Sequence, residues 1–71
     1  MKTLTKIGKF IKSERTKQKL SLAELSKKSF GSEYQAKGIS LIERGMKPKV
    51  EFETINKILF ALGYDLKEIF N

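Results

Sequence analysis

The chain has 71 residues, which is enough for one small domain, and it contains neither cysteine nor histidine. Disulfides, thiolate ligands and the commonest metal ligand and general base are therefore excluded, and we expect no metal and no cofactor. The net charge of +7 is graded, because residues 1–20 carry +6, residues 21–49 carry +3 and residues 50–71 carry −2. Such a gradient favours a polyanionic partner, either nucleic acid or an anionic membrane surface.

Nothing in the sequence predicts a membrane span or a signal peptide. No apolar run approaches the roughly 20 residues that a spanning helix needs. Lys6, Lys9 and Lys12 interrupt the stretch where a signal peptide would have its apolar region. We therefore expect a cytoplasmic protein.

The spacing of apolar residues predicts an all-α fold of five short helices in a single domain, 1–71. Ile7, Phe10 and Ile11 follow a helical rhythm in the first helix, and Leu20 should enter the core just after it. The predicted helices span roughly 5–17, 22–29, 33–44, 51–62 and 66–70. Gly45 is the expected left-handed stop of the third helix, and Gly63 closes the fourth. The predicted core face of the fourth helix consists of Phe52, Ile55, Ile58, Leu59 and Leu62.

Two serines mark the predicted starts of helices two and three. Ser21 with Glu24 forms a capping-box pattern, and Ser32 with Gln35 forms a second one that would begin helix three at residue 33. A start nearer Gln35 is the alternative. Phe30 is the expected apolar anchor of the bend, and Gly38 lies inside helix three, where close approach of another backbone is one explanation for it.

The third helix has an outer face suited to reading the edges of base pairs. Ile39 and Ile42 lie three residues apart and point inward, which turns the opposite side towards solvent. At this register Gln35 points inward and Ala36 lies at the boundary. Lysine can donate to guanine, serine can pair with several base edges and leucine can contact a thymine methyl group. The residues of this outer face are Lys37, Ser40, Leu41 and Arg44, joined by Glu33 and Tyr34 if the helix extends upstream.

Other charged and polar residues complete the predicted site. Glu43 turns inward and needs a partner, for which Arg15 at the end of the core stripe of helix one is the best candidate. Two independent surface charges are the alternative. The phosphate contacts predicted around the outer face are Lys19, Ser21, Arg44, Lys47 and Lys49.

Five segments together resemble the lambda-repressor-like, or XRE, group of helix-turn-helix domains. They are IGKFIKSER at 7–15, LSLAELSKK at 20–28, ISLIERG at 39–45, FETINKI at 52–58 and ALGYDLKEIF at 61–70. The resemblance implies a five-helix fold and a homodimer that binds double-stranded DNA at a two-fold operator and regulates transcription. It also implies an ion pair at the positions of Arg15 and Glu43. The base contacts that it implies are Gln35, Ala36, Lys37 and Leu41.

This chain departs from the family at two loops. About three extra residues lie between Ser26 and Ile39, around Phe30 to Tyr34, and about one extra residue follows Gly45. The first insertion lies where the reading helix would enter the groove. Tyr34 or Ser32 thereby becomes a candidate for a new contact.

Three functions remain open from the sequence. The first is a sequence-specific DNA-binding regulator, in the simplest case a repressor. An antitoxin that binds a partner toxin and represses its own operon is a variant of this function. The second is a module that binds an anionic membrane surface or another protein through the basic first helix. The third, an enzyme, has no supporting motif. The C-terminal residues that could form a dimer seam or a toxin-binding surface, unless they belong to the core, are Tyr64, Leu66, Ile69 and Phe70.

Overall fold

A computed structural model describes residues 3–46 and 49–65 of the chain. This part is all-helical. Its elements are α1 (Thr3–Lys17), α2 (Leu22–Phe30), a single 3₁₀ turn (Glu33–Gln35), α3 (Ala36–Glu43) and α4 (Phe52–Ala61). The predicted fifth helix, 66–70, lies outside the described residues. The radius of gyration is 10.9 Å, close to the value of about 11 Å expected for a compact chain of this length.

All four helices contribute to one apolar core. Leu20, in the loop before α2, and Phe30, the last residue of α2, pack against it, as predicted. Among the described residues, none of the helices combines the length and the apolar character that crossing a bilayer demands. The buried apolar residues are Ile11, Leu25, Ile39, Ile42, Ile55, Ile58, Leu59 and Leu62.

The assignment of Phe52 to the core is wrong. Its side chain is 71 % exposed, while the other four predicted core residues of α4 are buried. At 100° per residue, Phe52 lies about 70° from the centre of the arc formed by those four residues. The helix therefore turns Phe52 out of the core, and Phe60, which is 78 % exposed, lies on the same side.

Left-handed residues end three of the helices in the same way. Gly45 and Gly63, with φ of 69° and 97°, end α3 and α4 as predicted, and Lys19, with φ of 58°, does so after α1. In each case the left-handed residue donates its amide to the carbonyl three residues back, and the next residue donates its amide to the carbonyl five residues back, as Leu20 does to Arg15. These two bonds together are the Schellman motif, which satisfies carbonyls left free at a helix end. Lysine at the left-handed position was not predicted.

Helices α1 and α3 approach each other closely at Gly8. A Cβ atom at Gly8 would collide with the backbone carbonyl of Ile42 and would lie 3.0 Å from that of Glu43. Gly38, by contrast, has only the side-chain oxygen of Gln35 nearby, at 3.4 Å. The close backbone approach considered for Gly38 therefore occurs at Gly8 instead.

Tyr64, a predicted partner-surface residue, packs within the chain. Its ring meets Phe10 edge to face with 5.0 Å between centroids and 76° between planes. Burial raises the pKa of Glu14, but hydrogen bonds from Lys17 and from the Tyr64 hydroxyl outweigh burial and hold that pKa below its ordinary value. Tyr64 is thus half-buried in the seam between α1 and the end of α4. Ile69 and Phe70 lie outside the described residues.

Candidate nucleic-acid interface

A buried ion pair fixes the C-terminal end of α3. Arg15 Nε lies 2.7 Å from Glu43 Oε2, and Arg15 Nη2 donates to Glu43 Oε1 at 3.2 Å. The Glu43 side chain is only 4 % exposed. The remaining guanidinium nitrogen, Nη1, donates to the Leu20 carbonyl at 2.8 Å. The ion pair predicted from helical phase is therefore present. The same guanidinium group also links Leu20, the residue before the N-cap of α2, to the end of α3.

The N-terminal end of α3 differs from the prediction. Residues 33–35 form a 3₁₀ turn and α3 begins at Ala36. Of the two predicted starts, the one near Gln35 therefore lies closer to the observed start than the one at residue 33. The Ser32 hydroxyl accepts from Tyr34 N–H at 3.1 Å, whereas the predicted capping box would have engaged Gln35. A 3₁₀ turn advances about 120° per residue where an α-helix advances about 100°. Helical phases counted upstream of Ala36 therefore drift. Gln35, which was predicted to point inward, lies in this turn and is exposed.

A buried serine holds this turn in place. Ser26 on α2 is fully buried; its hydroxyl donates to the Ser32 carbonyl and accepts from Gln35 N–H at 3.0 Å. Both bonds go to backbone groups of the segment between α2 and α3, so one side chain helps to set where α3 starts. Sequence analysis assigned Ser26 no such role. The only signal available was a serine at a core position of an amphipathic helix.

The outer face of α3 is open to solvent to different degrees. Lys37 and Arg44 are exposed, whereas Ser40 and Leu41 are half-buried. Upstream, Tyr34 is 94 % exposed and Ala36 is half-buried. None of the predicted base-contact residues is packed in the core. The face thus offers a cation, a hydroxyl and an apolar side chain along one helix, with an aromatic ring ahead of its first turn.

Lys49 lies in a shallow groove beside the 3₁₀ turn that precedes α3. The groove runs between the 3₁₀ turn and the start of α4, and Lys49 and Gln35 both line it. Lys49 is exposed. The predicted phosphate contact at Lys49 therefore lies next to the predicted base contact at Gln35, although the two are 14 positions apart in the sequence. Lys47 lies outside the described residues.

A second groove, between α1 and the end of α3, contains cations that sequence analysis did not assign to the site. Lys17 there is paired with Glu14 at 3.2 Å, and Glu43 is neutralised by Arg15. Lys9, Lys12 and Arg44 are exposed and supply the excess positive charge. The sequence does not show that these three cations lie close together, because their proximity depends on the close approach of α1 to α3 at Gly8. The lining residues are Lys9, Lys12, Ser13, Thr16, Lys17, Glu43 and Arg44.

The start of α2 is built around its capping box. Glu24 N–H donates to the Ser21 hydroxyl at 3.0 Å, and Ser21 N–H donates to the Glu24 carboxylate at 2.7 Å. The Ser21 hydroxyl thus acts as an acceptor inside the box and retains its own proton for an outside acceptor such as a phosphate oxygen. Lys19 is exposed just upstream. Arg15 joins the carbonyl of Leu20, which lies between Lys19 and Ser21, to Glu43, so the backbone of this segment lies near the end of α3.

The side chains of the site offer cations, hydroxyls and amides. Within residues 3–46 and 49–65, no group of three or more acidic, cysteine or histidine side chains is arranged to hold a metal ion. Comparison with family models, with curated proteins and with solved structures finds no match to this chain.

Proposed function

We propose that this chain is a sequence-specific regulator of transcription that binds double-stranded DNA. In this proposal α2 and α3 form a helix-turn-helix within a five-helix lambda-repressor-like domain. The outer face of α3 enters the major groove, and two copies bind a pseudo-palindromic operator. A regulator of this kind acts in the cytoplasm, and repression is the simplest outcome of occupying an operator.

The observation that supports the proposal best is the distribution of cations around α3. Lys49 lies at the N-terminal end of α3, and Arg44, Lys9 and Lys12 lie at the C-terminal end. A helix in the major groove has a phosphate backbone on either side, so a neutral-to-basic outer face with cations at both ends suits that position. Phosphate contacts fix the position of the protein, and the side chains between them read the bases.

Base and phosphate contacts are predicted to respond differently to substitution. Selection of sites from random duplex DNA should return a pseudo-palindrome with half-sites about one helical turn apart. Lys37→Ala should change the selected sequence, since Lys37 lies on the outer face of α3. Lys49→Ala should weaken binding to all sequences alike and flatten its dependence on salt. Lys28→Ala on α2 removes the same charge at an exposed position outside the proposed site and serves as the control.

Two outcomes would contradict this assignment. If Lys37→Ala leaves the selected sequence unchanged, the outer face of α3 is not the reading surface. If no duplex is enriched at any salt concentration, the chain does not bind DNA in a sequence-specific manner. A proportionate loss of affinity in Lys28→Ala would show that general charge, and not the site, governs binding.

A second candidate function is that of an antitoxin, which would bind a toxin and repress its own operon. The exposed phenyl rings of Phe52 and Phe60 favour it, because large apolar side chains on the surface mark protein-binding faces when they cluster. A toxin that co-purifies with the chain expressed together with its neighbouring genes, and that is lost from Phe52→Ser, would support this function.

Binding to a membrane surface is the weaker alternative. The apolar side of α1 that would have to insert into lipid is already used, since Ile11 is fully buried and Gly8 contacts the backbone of α3. Retention of the folded chain on anionic vesicles, with no shift of duplex DNA, would nevertheless favour this alternative.

A further inference from the structure

Helix α4 carries an apolar stripe that the rest of the described chain leaves uncovered. Phe52, Asn56 and Phe60 follow each other at intervals of four residues, and all three are exposed. The two phenyl groups are 71 % and 78 % exposed. On an α-helix these three positions span about 80° of the circumference and about 12 Å along the axis. They form one ridge, which we call the Phe52–Phe60 stripe.

The stripe is symmetric about its midpoint. Phenylalanine lies at each end and a carboxamide lies in the middle, so the sequence of the ridge is the same in both directions. If a second copy of α4 runs antiparallel across the first, Phe52 of each copy meets Phe60 of the other. Asn56 then faces its own counterpart. A carboxamide has both donors and an acceptor, so two of them can pair with each other.

The charges beside the stripe have the same symmetry. Glu53 and Lys57 are exposed and lie on the side of the ridge away from the core. A two-fold axis at Asn56 brings Glu53 of one copy to within about 3 Å, along the helix axis, of the level of Lys57 in the other. Glu53 of each copy therefore lies beside Lys57 of the other, and the two Lys57 side chains, whose levels are also about 3 Å apart along the helix axis, lie between the two glutamates. An isologous interface requires this kind of self-complementarity.

We propose that the Phe52–Phe60 stripe is the surface through which two copies of this chain associate, with α4 packed antiparallel on α4 and Asn56 on the two-fold axis. Ridges at four-residue spacing pack into each other with the helix axes about 8–10 Å apart. Four phenylalanines bury on the order of 600 Å² in total, which is about half of what a standard interface needs. The neighbouring side chains supply the remainder, and association is reversible. The inference specifies the partner surface of the proposed dimeric regulator and rests on that function only for its biological purpose.

A single cysteine tests the axis directly, because the native chain has none. With helix axes about 8–10 Å apart and Cα atoms about 2.3 Å from each axis, two residues on the two-fold axis have their Cα atoms about 4–5 Å apart. A disulfide accepts that separation. Asn56→Cys should therefore form a covalent dimer rapidly in an oxidising glutathione buffer. Lys28→Cys, an exposed position on α2, is the matched control and should cross-link slowly.

A second pair of measurements tests the apolar contacts without DNA. Sedimentation equilibrium of the native chain should show the 8.1 kDa monomer converting to a species of twice that mass as the concentration rises. Phe52→Ser/Phe60→Ser should remain monomeric and keep its helical circular dichroism, since neither side chain supports the core. Its affinity for the selected duplex should fall, while its preference among sequences should not change.

The outcomes separate this inference from the proposed function. If Asn56→Cys cross-links no faster than Lys28→Cys, or if the native chain is monomeric at every concentration, self-association through the Phe52–Phe60 stripe is overturned. The DNA experiment can still succeed in that case. If the chain dimerises through the stripe and selects no duplex, the interface stands and the proposed function fails. A different protein that binds the stripe in place of a second copy would also overturn the inference.

Discussion

The two ends of α3 are held by different kinds of bond. At the C-terminal end, Glu43 receives two bonds from a guanidinium group, and Gly8 brings a second helix against the backbone. At the N-terminal end, the Ser26 hydroxyl makes two bonds to the backbone of Ser32 and Gln35, at the 3₁₀ turn. Charge-assisted bonds are about twice as strong as neutral ones. The helix is therefore anchored firmly where its cations lie and more weakly where Tyr34 and Gln35 lie, and the weaker end is the one able to adjust to a ligand.

Arg15→Met should give the largest loss of stability. The substitution leaves the Glu43 carboxylate buried without its partner, and breaking a buried pair in this way costs about 3 kcal/mol or more. Urea denaturation of the single variant and of Arg15→Met/Glu43→Met measures the pair. The double variant should recover most of the loss, because it removes both charges. A loss of less than about 1 kcal/mol in the single variant would mean that the pair behaves as an exposed one.

Gly8→Ala should rank second. The added methyl group collides with the backbone at the end of α3, so α1 and α3 must separate, and overpacking of this kind costs about 1–3 kcal/mol. Gly38→Ala is the matched control in the other helix. Its methyl group meets only a flexible side chain, and the change should stabilise the protein by roughly 0.5–1 kcal/mol. Thermal unfolding of both variants should therefore shift in opposite directions; equal shifts would contradict the close approach at Gly8.

Ser26→Ala tests the weaker end of α3. It removes a donor from the Ser32 carbonyl and an acceptor from Gln35 N–H, and unsatisfied buried groups cost about 1–3 kcal/mol. Ser29→Ala is the control, because the Ser29 hydroxyl only donates to the Leu25 carbonyl within its own helix. Amide hydrogen exchange should speed up at Gln35 in the first variant and not in the second. Unchanged exchange at Gln35 would mean that the 3₁₀ turn holds itself.

The same contrast explains how much the sequence could predict. Arg15 and Glu43 were paired correctly because each lies at a fixed phase of a regular helix, and Gly45 and Gly63 were correctly identified as helix ends. The prediction failed at Gln35, which lies in a 3₁₀ turn ahead of α3 and not in the helix, and at Phe52, since the core faces a narrower arc of α4 than the apolar residues cover. The roles of Gly8 and Ser26 depend on which backbone lies opposite, and a helical pattern does not contain that information.

Glu14 should show the smallest effect, and only in acid. Its pKa is held below the ordinary value of 4.5 because hydrogen bonds from Lys17 and Tyr64 outweigh the opposing effect of burial. A carboxyl group with a lowered pKa in the folded state stabilises the fold above its unfolded pKa, and this contribution is lost as the pH falls through the folded value. The stability difference between the native chain and Glu14→Gln should therefore shrink below about pH 4.5.

Tyr64→Phe separates the hydrogen bond from the ring packing at the same site. It keeps the edge-to-face contact with Phe10 and removes the hydroxyl, so the Glu14 carboxyl should titrate at a higher pH than in the native chain when followed by NMR. If burial dominated instead, Glu14 would titrate above 4.5 in the native chain. The native chain would then lose no more stability in acid than Glu14→Gln does. The seam between α1 and the end of α4 would in that case be held by apolar contacts and by the hydrogen bond that Gln18 Nε2 donates to the Leu62 carbonyl at 2.8 Å, in contrast to the charged anchor of α3.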